Sequence, residues 1–159
     1  MKSRKRRVDI NTIQVEKLQK KVETTNREFV NTLIENVELF SAQMESDSKD
    51  LAPADSKELE QSINSITNYR NGVVSSITGS NLEYALRRHE EEYRKGTYHK
   101  YHKGVKFTDY YINGRGELTR EKKSVRGKLP GRKYLSNAVK INRKNWSTTL
   151  KDSFKQAWG

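Results

Sequence analysis

The chain has no cysteine, which excludes a disulfide framework, a thiol nucleophile and a thiolate-ligated metal. No stretch approaches the roughly 18 to 20 consecutive apolar residues of a membrane span. The basic start Lys2-Ser3-Arg4-Lys5-Arg6-Arg7 leads into Val8-Asp9-Ile10-Asn11 and not into the apolar run of a signal peptide. The expectation is a soluble protein made in the cytoplasm, with no membrane partner. Apolar residues are also scarce, at 32 % of 159 with a mean hydropathy of −1.03. One domain of this length can then bury only a small core, and we expect it to gain stability from neighbouring subunits.

What the chain does have is charge, unevenly placed. Residues 94–144 hold sixteen Lys or Arg against Asp109, Glu117 and Glu121, a balance of +13 that exceeds the +12 of the whole chain. Residues 10–93 hold nine Lys or Arg against fifteen Asp or Glu, a balance of −6. The basic positions singled out are Arg94, Lys95, Lys100, Lys103, Lys106, Arg115, Arg120, Lys122, Lys123, Arg126, Lys128, Arg132 and Lys133. Two uses fit them: a grip on acidic surfaces of neighbouring copies, or a phosphate-facing surface with Tyr98, Tyr101, Tyr110 and Tyr111 available to stack on bases. The protein-contact use is favoured, since Glu-rich stretches of the same chain, Glu90-Glu91-Glu92 among them, are available partners. Residues 1–10 read as a solvated basic tail.

Periodicity divides residues 11–159, read as one domain. Val15, Leu18, Val22, Phe29, Leu33, Val37, Phe40 and Met44 fall on one stripe of a long helix over 11–48, capped at Asn11 or Thr12 and extending on the order of 50 Å. That exceeds what so small a domain can cover, so part of it is expected to pack on another subunit. Pro53 breaks the helix, and residues 55–93 follow as a short helical turn and a hairpin, strands 62–70 and 73–78 joined at Asn71-Gly72. Residues 81–90 suit helix by propensity or strand by context. An extended basic loop or β-ribbon occupies 94–130, with Phe107 to Ile112 and Asn113-Gly114 as a second hairpin arm. A C-terminal helix takes 131–159, carrying Leu135, Ala138, Val139, Trp146, Leu150, Phe154 and Trp158.

In chain order, the long helix is followed by Leu51-Ala52-Pro53-Ala54-Asp55-Ser56, then Leu59 and Ser62-Ile63, then Tyr84-Ala85 with His89-Glu90, then Gly131-Arg132-Lys133-Tyr134-Leu135 with Ala138. This succession resembles the tail-completion, or head–tail joining, proteins of tailed bacteriophages, also described as neck or minor capsid proteins. The resemblance implies an α+β subunit in which the long helix and the C-terminal helix pack on a small antiparallel sheet. It further implies a virion ring, a hexamer or dodecamer of copies, between the portal or connector and the tail-tube or tail-terminator proteins, in weak contact with packaged double-stranded DNA. The structural positions it marks are Asp55, Tyr84, Ala85, Glu90, Arg132, Tyr134 and Leu135. The chain departs from the family at Lys57, where glycine is usual, and at Glu91-Glu92, where the family's tyrosine-alanine strand leads to glutamate and glycine. Its segment before Tyr134 is also longer and more basic.

Catalytic and metal readings lack their residues. Consecutive Glu90, Glu91 and Glu92 diverge on a helix and alternate on a strand, so they set no fixed carboxylate separation. His89, His99 and His102 sit among cations without a thiolate or spaced carboxylate to complete a metal shell. There is no nucleophile elbow and no phosphate-cradling glycine loop. The expectation is a protein without enzymatic activity, cofactor or metal.

Overall fold

The apolar stripe forms a helix α1, Thr12–Leu51, in a computed structural model that describes residues 12–159. The basic tail and the cap expected at Asn11 lie outside the described residues. α1 runs past its expected end at Ser48, because the carbonyls of its last turn are satisfied by an external donor. The Lys122 ammonium donates to the Lys49 and Ala52 carbonyls, both at 2.8 Å, and to Glu60 at 2.9 Å. A cation there also complements the negative end of the helix dipole. Pro53 then prevents continuation.

A short helix α2, Glu58–Ser62, leads into the hairpin β1, Ile63–Arg70, and β2, Val73–Ser80. Ser62 therefore closes a helix instead of opening a strand, and β2 extends beyond Thr78. The turn carries φ of 53° at Asn71 and 78° at Gly72, the positive pair a type I′ turn requires. Residues Ala85–Glu90 form α3, so the Tyr84-Ala85 landmark opens a helix and not the strand of the resemblance. Lys57, at the family's glycine position, holds φ 63°, a left-handed conformation that glycine adopts without steric cost.

Of the two forms expected for the basic segment, loop or β-ribbon, the structure has the ribbon. β3, Thr97–His102, pairs with β4, Val105–Ile112, and β4 with β5, Arg115–Gly116, followed by α4, Glu117–Glu121. A bulge around Asp109, φ 55°, bends β4. The strands thus divide into two antiparallel sheets, of two and three strands, instead of the single sheet expected. α3 and its flanking turns carry the chain away from β2 before β3 begins, and no ladder joins the two sheets.

The C-terminal helix α5, Tyr134–Trp158, starts after Pro130-Gly131 and runs antiparallel to α1. Phe40 meets Trp146 at 5.0 Å between ring centroids and Phe29 meets Phe154 at 6.1 Å. Trp158 stacks on Phe154. At about 1.5 Å per residue α1 spans roughly 60 Å against roughly 37 Å for α5. The first turns of α1 consequently overhang, and Val15, Leu18 and Val22 stay exposed.

The core sits where the C-terminal end of α1 meets α2, β1, α3 and α5. It comprises Met44, Leu51, Ala52, Leu59, Ile63, Ala85, Tyr134 and Ala138, with Phe40, Leu82, Leu135 and Ile141 packed around it. The molecule is an α+β fold whose two long helices bracket this core.

Candidate interaction surfaces

Most positions that carry the resemblance build this core or brace it. Ala85 and Tyr134 are buried in it and Leu135 packs against it; burial raises the Tyr134 hydroxyl above the usual tyrosine range. Asp55 accepts from the Lys100 ammonium and, at 3.3 Å, from the Tyr110 hydroxyl. The Tyr84 hydroxyl donates to Glu58 at 2.9 Å. Glu90 takes the Lys133 ammonium on one carboxylate oxygen and the His89 ring on the other. Lys133, and then His89, hold the Glu90 carboxyl below its ordinary value. The Tyr93 hydroxyl accepts from the Arg132 amide at 2.5 Å and lies against Gly131. A Cβ at Gly131 would collide with that hydroxyl.

The thirteen basic positions do not form one surface. Seven point inward and tie the ribbon to the body. Lys100 pairs with Asp55, Lys133 with Glu90 and Lys122 with the end of α1. Arg115 donates to the Pro130 and Thr119 carbonyls, Arg120 to the Tyr110 carbonyl and Arg132 to the Glu90 carbonyl. Arg126 donates to the buried Asp47 at 2.9 Å and to Asn142 at 3.0 Å, and the Asn142 amide reaches Asp47 at 2.6 Å. Arg94 lies over the Tyr98 ring at 4.1 Å. Lys95, Lys103, Lys106, Lys123 and Lys128 have no ion pair among the described residues, and Lys103 stands at the turn of the ribbon. Sequence order could not separate these groups, because the acceptors are mostly carbonyls and carboxylates far away in the chain.

A line of cations outside the thirteen named positions lies on α5. Lys140, Lys144, Lys151 and Lys155 recur at helical spacing, exposed and without an ion pair among the described residues. Their spacing alone was the available signal.

Two apolar surfaces are left uncovered. The inner face of the β1–β2 hairpin meets α1 through hydroxyls: Ser41 bonds Ser76 at 2.5 Å, and Ser65 bonds the Ser41 carbonyl at 3.1 Å and Thr78 at 2.8 Å. Because strand side chains alternate, Ile66, Ile77 and Val73 point the other way, and Ile66 and Ile77 face each other across the ladder, 59 % and 72 % exposed. Ile63 and Ile66 are three apart and so cannot share a strand face, a signal present in the sequence. Beside β2 lies a groove of about 450 Å³ walled by Phe40, Met44, Val74, Leu135, Val139 and Trp146. A second hollow of about 380 Å³ opens between Asp55, Tyr84, Arg87, Arg88 and Tyr110, mixing both signs of charge.

Among the described residues no group of three His, Asp or Glu is placed to hold a metal, and no helix is long and apolar enough to cross a membrane. His99 instead accepts the Asp109 amide at 3.1 Å. Comparison with protein-family models, curated proteins and solved structures finds no match.

Proposed function

We propose that this chain is a structural, non-enzymatic protein of the phage neck, which closes into a ring of copies and joins the portal or connector to the tail around the DNA channel. The observation that supports this reading is the convergence of the resembling landmarks. Ala52, Leu59, Ile63, Ala85, Tyr134 and Ala138, scattered over the chain, meet in one core, so the motif positions specify a fold instead of a catalytic site. Exposed apolar surface on the hairpin, the groove and the overhanging turns of α1 supplies what subunit contacts require. An acidic first part and a basic last part suit a head-to-tail contact, in which two different surfaces of one subunit meet. Native mass measurement of the purified chain over a concentration series tests it, the expected species being a closed ring. A protein that stays monomeric at every concentration overturns the reading.

The lysine line on α5 favours a second reading, a nucleic-acid-binding protein. In that case the chain binds duplex as a monomer, and affinity falls with salt on a log–log slope of about −0.9 per phosphate contacted. Absence of duplex binding at low salt excludes it.

A further inference from the structure

β2 has a neighbour on one edge only. It pairs with β1 over its whole length, and no other ladder among the described residues reaches it. The two-residue turn makes Arg70 and Val73 the first hydrogen-bonded pair, after which bonded and non-bonded pairs alternate. The amides and carbonyls of Val74, Ser76 and Thr78 therefore point to the open edge, where no group among the described residues takes them.

That edge faces the groove of about 450 Å³. Val74, Ser75 and Ser76 all line it. Consecutive strand residues alternate in direction, so the wall they make is the backbone edge of β2 and not one of its faces. α1 supplies an apolar floor with Phe40 and Met44, and α5 the opposite wall with Leu135, Val139 and Trp146. A gap between an open strand edge and a helix is shaped for an extended chain. Such an occupant bonds the free amides and carbonyls as a third strand and sets every second side chain on the apolar floor. From Val74 to Thr78 the edge runs for roughly 16 Å, about five residues of a partner.

Charge narrows the choice of partner. Among the described residues none that lines the groove is charged. Beside it on α5 stands Arg143, four residues after Val139 and three before Trp146, exposed and without an ion pair among the described residues. The hairpin adds Arg70 and no carboxylate. A strand with an acidic residue next to it suits this rim. The other open edges of the described chain lie on β1, β3 and β5, and none of those strands contains Asp or Glu. A second copy therefore brings no matching strand, and the occupant is a different protein.

We propose that the β2 edge and α5 form a docking groove for an extended apolar segment of another protein, which joins the hairpin as its third strand and lays a flanking carboxylate on Arg143. The inference goes beyond the ring reading and does not rest on it, since the outward hairpin face and the overhanging turns of α1 remain for contacts between copies.

Panning a random library of capped nine-residue peptides against the full chain tests it, with affinities read by fluorescence anisotropy. Enriched peptides should alternate apolar and polar residues and carry an Asp or Glu. Methylating one alternate set of their backbone nitrogens should weaken binding at least about tenfold and methylating the other set less than about twofold, because only every second residue of an added strand bonds the edge. Val139→Asn should also cost about tenfold. Arg143→Glu should weaken the acidic peptides and strengthen versions in which Lys replaces the acid. Both side chains are exposed, so the variants should keep the wild-type melting temperature. A library that yields no binder overturns the proposal, as do binders indifferent to which nitrogens are methylated or to Val139→Asn.

Discussion

At Asn71-Gly72 and at Lys103-Gly104 the chain reverses through the same geometry, φ of 53° and 78° in the first and 49° and 79° in the second. The two hairpins that result are anchored by different chemistry. The β1–β2 hairpin lies on α1 through neutral hydroxyls, with Ile66 and Ile77 outward. The ribbon is anchored by charged and polar groups, with Lys100 on Asp55, Arg120 on the Tyr110 carbonyl and Arg115 on Pro130, and Tyr110 is buried. Turn chemistry therefore sets where a hairpin forms, and distant partners set which face it presents.

If the C-terminal half is held by charge, the largest loss should come from Asp47→Ala. That change takes one of two acceptors from the fully buried Asn142 amide, which keeps the Ala138 carbonyl, and removes the carboxylate partner of Arg126, costing about 3 kcal/mol by urea denaturation. A loss below about 1 kcal/mol would show that the network is incidental. Next is Thr119→Val. The Thr119 hydroxyl both donates to the Ala54 carbonyl and accepts the Ala54 amide, each at 3.0 Å, so two backbone groups lose their partner at a cost of about 2 kcal/mol.

The equivalence of the turns is tested by Gly72→Ala and Gly104→Ala. Nothing lies within 4 Å of either added Cβ, so each should lose only the left-handed strain, about 1 kcal/mol. A marked inequality between them would end the claim that the turns are locally alike.

Acidification acts on both regions. The Glu45 carboxyl, on the hairpin side, is lowered by its bond to Lys49, and Glu90, on the ribbon side, by Lys133 and then His89. A lowered folded value gives stability that is present above the ordinary 4.5 and lost as pH falls through the folded value. The melting temperature should thus drop with acidification below about pH 5, less steeply in Glu90→Gln. The smallest effect belongs to Ile66→Asn, expected within about 0.5 kcal/mol of wild type in the monomer. A larger loss would mean that the outward face is packed within the single chain.

Much of this was legible before the structure. Asn71-Gly72 marked the hairpin through its tolerance of positive φ, and Pro53 marked the end of α1 to within three residues of the expected Ser48. The ribbon was legible only as one of two readings, beside a loop, because β3 is mostly Tyr, His and Lys, whose pattern resembles a loop, and its anchoring comes from Asp55 and Tyr110. The division of thirteen cations into inward and outward groups was illegible as well. Glu60, Asp47 and the carbonyls of Lys49 and Ala52 are separated from Lys122 and Arg126 by sixty residues or more.

The sequence by itself determined the two long helices, the Asn-Gly turns and the split of charge along the chain, because helical and strand periods and the φ demands of Asn-Gly and Pro act within a few neighbouring residues. Only the tertiary structure decided which lysines and arginines face inward, that the strands form two sheets, and that Ile66 and Ile77 look outward. Those outcomes depend on which donors and acceptors come within about 3 Å after the chain closes on itself, a distance that local pattern does not encode.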